Sequence, residues 1–103
     1  MSCKYCAMYV SRALSGVENF EKACELLHFD PKKKEDEEAI VKAFAAIGQF
    51  GTIRLARAFP WVTNEEDFHM VTVVGLHFYW MLLDAWEEIR EKEAAQKGKA
   101  PHL

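Results

Sequence analysis

Residues 68–83 read FHMVTVVGLHFYWMLL, sixteen positions without a formal charge, and the chain continues at once as DAWEEIREKE. As a helix this run covers ~24 Å, short of the ~30 Å hydrocarbon core of a bilayer. It also carries His69, Thr72 and His77, so the expectation is a helix within a protein and no membrane span. Phe68, Val71, Gly75, Phe78, Leu82, Ala85 and Ile89 follow one another at spacings of three and four, the seam of a packed helix. Met70, Val73, Val74, Trp80 and Met81 are apolar as well but lie off that seam. The middle of the helix is therefore hydrophobic on nearly all sides and demands cover on nearly all sides.

The limits of this helix follow from its flanks. Phe59-Pro60 stops the element before it, because the residue preceding a proline is pushed out of the helical region. Thr63-Asn64-Glu65-Glu66 fits the S/T-x-x-E capping box with Thr63 as the cap. Gly98 and Pro101 mark the far end. The expected helix spans about residues 64–96, with 98–103 as a frayed tail on a single helical domain of residues 1–97. A helix of that length is about 50 Å long, whereas a compact domain of about 100 residues has a radius of gyration near 13 Å.

Upstream, Cys6, Val10, Ala13, Val17, Phe20, Cys24 and Leu27 keep the same three-and-four spacing and give a first helix over 2–28, with Ser15-Gly16 as the place where it could break. HFDPKKKEDEE is a polar connection whose acidic end suits the start of a second helix, 33–59. Ile40, Phe44, Ile47, Phe50, Ile53 and Leu55 cover a wide arc of that helix, while Ala45, Gly48, Thr52 and Ala56 form a smooth ridge. Glycine inside a helix costs about 1 kcal/mol relative to alanine, so Gly48 and Gly51 imply close approach of a neighbour or a kink. The fold class is all-α: three long helices in an up-down-up bundle. Two other helices of the same chain do not easily surround the third, so the bundle is expected to complete its core by self-association, as a homodimer or larger.

The whole chain has 103 residues, 50% hydrophobic and 28% charged, with a net charge of -3. That describes one globular domain, and without a basic stripe it excludes a nucleic-acid binder. The opening MSCKYCAMYVSRAL shows no uninterrupted apolar run of a secretory signal, so a cytoplasmic location is expected, with the three cysteines as reduced thiols or metal ligands.

Three constellations could carry chemistry. Cys3, Cys6, Cys24 and His28 have the types and roughly the spacing of a closed zinc site. Against zinc, Cys6 and Cys24 occupy seam positions, and on one unbroken helix they stand about 27 Å apart. Glu66-x-x-His69 is one copy of a motif that di-iron bundles use twice, with bridging glutamates that this second helix lacks. His77, Met81 and Asp84 share a stripe that could line a small-molecule or cofactor pocket rimmed by Trp80 and Trp86, although aromatic stripes more often pack or dock. Arg54 and Arg57 suit the end of a helix better than an anion site. No phosphate loop or nucleophile signature is present.

The reading that absorbs most of this is a non-catalytic interaction module or accessory subunit without a cofactor, binding itself and another protein. Its expected anchors are Trp61, Phe78, Trp80 and Trp86, with Gly48 and Gly75 where helices approach closely. A zinc-stabilised regulator and a helix-bundle cofactor protein with a pocket near His77 are the alternatives.

Overall fold

A computed structural model describes residues 4–98. Among them lie five α-helices and no strand: α1 (Lys4–Leu14), α2 (Phe20–Leu26), α3 (Glu37–Phe50), α4 (Thr52–Ala58) and α5 (Glu65–Gly98). The protein is all-helical. Cys3 and the tail 99–103 lie outside the described residues.

Where one first helix was expected over 2–28, there are two. Ser15 Oγ donates to the Arg12 carbonyl at 2.6 Å, and the next backbone amides switch to the tighter three-residue pattern, Gly16 to Ala13 and Val17 to Leu14. A serine hydroxyl that takes a local carbonyl competes with the helix ladder, and the break resets the phase of the buried face. Ahead of the break, α1 buries Cys6, Val10 and Leu14 at spacings of four, so Leu14 is buried where Ala13 was expected, and Ala13 is exposed. Cys6, Val10, Phe20, Cys24 and Leu27 are in the core as their spacing implied.

The second helix is also divided. Gly51 has φ 73°, a left-handed conformation that glycine adopts freely, and it joins α3 to α4 at an angle that leaves Phe50 and Ile53 exposed. The start of α3 comes later than residue 33, after a short 3-10 turn over Lys34–Asp36. Asp36 Oδ2 accepts from the Asp30 amide and Asp30 Oδ1 accepts from the Lys32 amide, both at 2.9 Å. The polar connection thus satisfies its own backbone.

At the head of α5 the cap is Asn64 rather than Thr63. Asn64 Oδ1 accepts from the Glu66 amide at 2.8 Å, and the Phe68 amide bonds to the Asn64 carbonyl. Asparagine caps at least as well as threonine, which shifts the motif by one residue.

α5 is the axis of the molecule, whose extents are 57 × 26 × 21 Å. α1, α2 and α3 all pack against it. Phe44 lies 6.1 Å from Phe78, and Phe20 lies 5.8 Å from Phe44, centroid to centroid, so three rings tie α2, α3 and α5 together. α3 runs antiparallel to α5, as Phe44 meets Phe78 and Gly48 meets Gly75 further toward the head of α5. A Cβ on Gly48 would overlap the Gly75 carbonyl oxygen and the Tyr79 Cβ, and one on Gly75 would come within 2.7 Å of Ile47 Cγ2. The small residues let two helix backbones nearly touch.

A second lock joins the end of α2 to the segment before α5. His28 adopts φ 67°, and the Phe29 amide reaches back to the Cys24 carbonyl while the His28 amide reaches Glu25. This is a Schellman termination with histidine where glycine is usual. Trp61 stacks on His28 with centroids 4.4 Å apart and an interplanar angle of 3°, and its Nε1 donates to the Leu26 carbonyl at 2.7 Å. Phe59 stands edge-on to both Trp61 and Phe29.

Two outcomes follow for stability. Gly48→Ala is expected to destabilise by about 1–3 kcal/mol through overpacking, although alanine in an unobstructed helix gains about 1 kcal/mol. Urea denaturation checks this, with Gly16→Ala as the control, because a Cβ there meets only the Ala13 carbonyl oxygen at 3.7 Å. Trp61→Phe keeps a ring but removes the bond to Leu26, and is expected to cost about 0.5–1.5 kcal/mol in the same experiment.

Candidate functional site

α5 has two apolar faces. One holds Val71, Val74, Phe78 and Ala85, all in the core. At 100° per residue, Val73, Leu76, Trp80 and Leu83 project within roughly 80° of one another, centred opposite Phe78. Trp80 is 68% exposed, Leu76 43% and Leu83 44%. Val73 is half-buried at the edge of this stripe. The residues on the same line at either end are His69 and Glu87, and both are exposed. The outer stripe is thus an apolar ridge with polar ends on the most regular element of the fold. Only 28% of the most apolar window of α5 is buried in the chain. By length and composition the helix could cross a membrane, but a core helix meets the same criterion, and Val71 and Phe78 are fully buried in this chain.

The expected anchors divide accordingly. Trp80 is the open one. Phe78 is fully buried and Trp86 packs partly against the core, so both serve this chain. Trp61 is half-exposed but already carries His28 on its ring face. Gly48 and Gly75 meet each other within the chain, and that contact accounts for them without a second copy.

The two described cysteines are packed rather than presented. Cys6 and Cys24 are both buried. Burial pushes the Cys24 thiol up from 9.0 to about 12, and the charges of Glu21 and Glu25 push in the same direction. Burial and these two carboxylates disfavour the thiolate that nucleophilic chemistry needs. His28 is exposed and committed to Trp61. Among the described residues no three His, Cys, Asp or Glu side chains gather as a metal-holding group.

Of the pocket expected near His77, the two polar members His77 and Asp84 face solvent while Met81 packs against the core. Two concavities among the described residues lie away from these side chains. A depression of about 400 Å³ at the head of α5 is lined by Thr52, Thr63, Glu65, Phe68, His69 and Thr72. The Thr72 hydroxyl is already bonded to the Phe68 carbonyl at 2.8 Å. A second, of about 270 Å³, sets Arg12 and Lys32 against Glu21 and Glu37 over Phe20 and Ile40, and its mixed rim favours neither anion nor cation. Arg54 and Arg57 are exposed on α4.

Sequence reasoning named Trp80 but missed that Leu76 and Leu83 accompany it. The signal was available, since 73, 76, 80 and 83 repeat the three-and-four spacing of the main seam on the opposite side. Comparison of the chain with protein-family models, with curated proteins and with solved structures finds no match.

The buried thiol gives a pH dependence whose sign is fixed. The unfolded chain releases this proton near pH 9 and the folded chain only near 12, so the contribution of Cys24 to stability is whole below about pH 9 and falls as pH rises from there. The expected outcome is that Cys24→Ala, less stable at pH 7, loses less stability between pH 8 and pH 10 than the unaltered chain in paired denaturation curves.

Proposed function

We propose that this chain is a non-catalytic helical interaction module, an accessory subunit that docks protein through the outer face of α5. The observation that carries the reading is Trp80, 68% exposed between Leu76 and Leu83 on a helix whose other side anchors the whole core. A large aromatic flanked by aliphatic residues on a rigid element is the usual chemistry of an interface hot spot. Its flanks also speak against docking to an anionic lipid surface, which favours lysine and arginine on the polar side. Here the stripe is bordered by Glu65, Glu66, Asp84, Glu87 and Glu91, with Arg90 the single arginine among them.

Self-association belongs to this reading, because the ridge demands cover that the chain's own helices do not supply. The location compatible with it is the cytoplasm, where two buried thiols stay reduced.

The test places a photo-crosslinking amino acid at position 80 and, as a control, at exposed position 94, in the full chain incubated with soluble extract. Crosslinking to protein concentrated at position 80 is the expected result, and equal or weaker crosslinking than at 94 would overturn the reading. In parallel, Trp80→Glu is expected to change folding stability by no more than about 0.5 kcal/mol, because it removes no core contact. Phe78→Ala is expected to cost about 3–5 kcal/mol.

A further inference from the structure

We infer that the partner of this face is a second copy of the same chain, joined antiparallel through α5 about a two-fold axis level with Phe78. The inference rests on the proposal that the outer face of α5 is a docking surface, and adds which partner it takes and in what register.

The ridge is self-complementary about its own centre. Val73, Leu76, Trp80 and Leu83 are spaced three, four and three, the spacing that packs two helices at a shallow crossing angle. In an antiparallel pair, residues equidistant from position 78 stand opposite one another. Trp80 then lies on Leu76 of the second copy, and Val73 on Leu83 of the second copy. The large ring meets the aliphatic gap at both halves, and the two indoles do not compete for one place.

Charge separates this arrangement from the parallel one. The antiparallel register sets His69 against Glu87 of the second copy, and on one flank Glu65 beside Arg90 of the second copy. Off the centre line, residues on the same flank meet, so the other flank brings Glu66 beside Glu91 of the second copy, a like-charge contact that the two-fold repeats. A parallel pair would instead set Glu87 on Glu87 and His69 on His69 along the centre line, a like-charge contact that the antiparallel register replaces with His69 against Glu87. The overlap of residues 65–91 extends about 40 Å along the helix, and all the charged groups named are exposed and free to meet a second molecule. An apolar ridge of four side chains with weak charge pairs at its ends gives a dimer in the micromolar range rather than a permanent one.

Three measurements on the full chain decide it. Light scattering is expected to show a mass rising from 11.9 kDa to twice that value at about 100 µM, a concentration well above a micromolar Kd. The double variant Leu76→Glu/Trp80→Glu should stay monomeric while keeping its helical circular dichroism. A constant monomer mass in the unaltered chain overturns the inference, and if position 80 still crosslinks to another protein, the docking reading survives without it.

The register is read by mixing two chains in a Cys3→Ser background, one with Val73→Cys and one with Leu83→Cys, under mild oxidation. Mixed 73–83 disulfides are expected. Self-linking of either chain alone at an equal rate would establish the parallel pair and overturn the register. Finally, sedimentation of the monomer with neutral phosphatidylcholine vesicles, accompanied by a blue shift absent from Trp80→Phe, would assign the face to lipid and overturn the proposal. No binding to vesicles is expected.

Discussion

The close approach of α3 and α5 at Gly48 and Gly75 sets the geometry of everything else. With no Cβ on either residue the two backbones come together, and the rings of Phe44 and Phe78 meet one turn away. Phe20 then finds Phe44 and brings α2 into the same core. Dispersion falls steeply with separation, so moving the helices apart by even one methyl group would loosen every contact along the row. Two glycines that weaken their helices locally are therefore recovered through packing.

That contact also explains why α5 has a free side. Three shorter helices crowd onto one face of a helix of 34 residues, and the radius of gyration of 15.7 Å exceeds the ~13 Å of a compact chain of this size. The core is sound where it exists, with no buried polar or charged side chain among the described residues. What remains outside is the ridge around Trp80, apolar enough to matter and regular enough to be matched by another helix.

Much of the fold was legible in the sequence. The apolar seams of α3 and α5, the stop at Phe59-Pro60 and the polar connection around Pro31 all appear where local chemistry places them. The breaks were less so. Ser15-Gly16 and Gly51 were recognisable as weak points, but whether a weak point bends depends on what the two halves can bury, and that is a tertiary quantity. The lock of His28, Phe29, Phe59 and Trp61 had no local signal, because it joins residues thirty or more positions apart. The candidate site was half legible: Trp80 stood out by type, whereas Leu76 and Leu83 join it only once the opposite seam is known to be occupied.

The sequence by itself determined that the chain is helical and that α5 carries more apolar surface than three helices cover, since periodicity and composition fix both. Tertiary structure decided which of those apolar residues are consumed. Phe78 and Trp86, alike to Trp80 by composition, went to the chain's own core, and Gly48 and Gly75 to the contact between its own helices. The physical reason is that a helix has several faces but only one of them can follow the closest approach of its neighbours. Once Gly75 faces Gly48, the side bearing Trp80 is left to solvent.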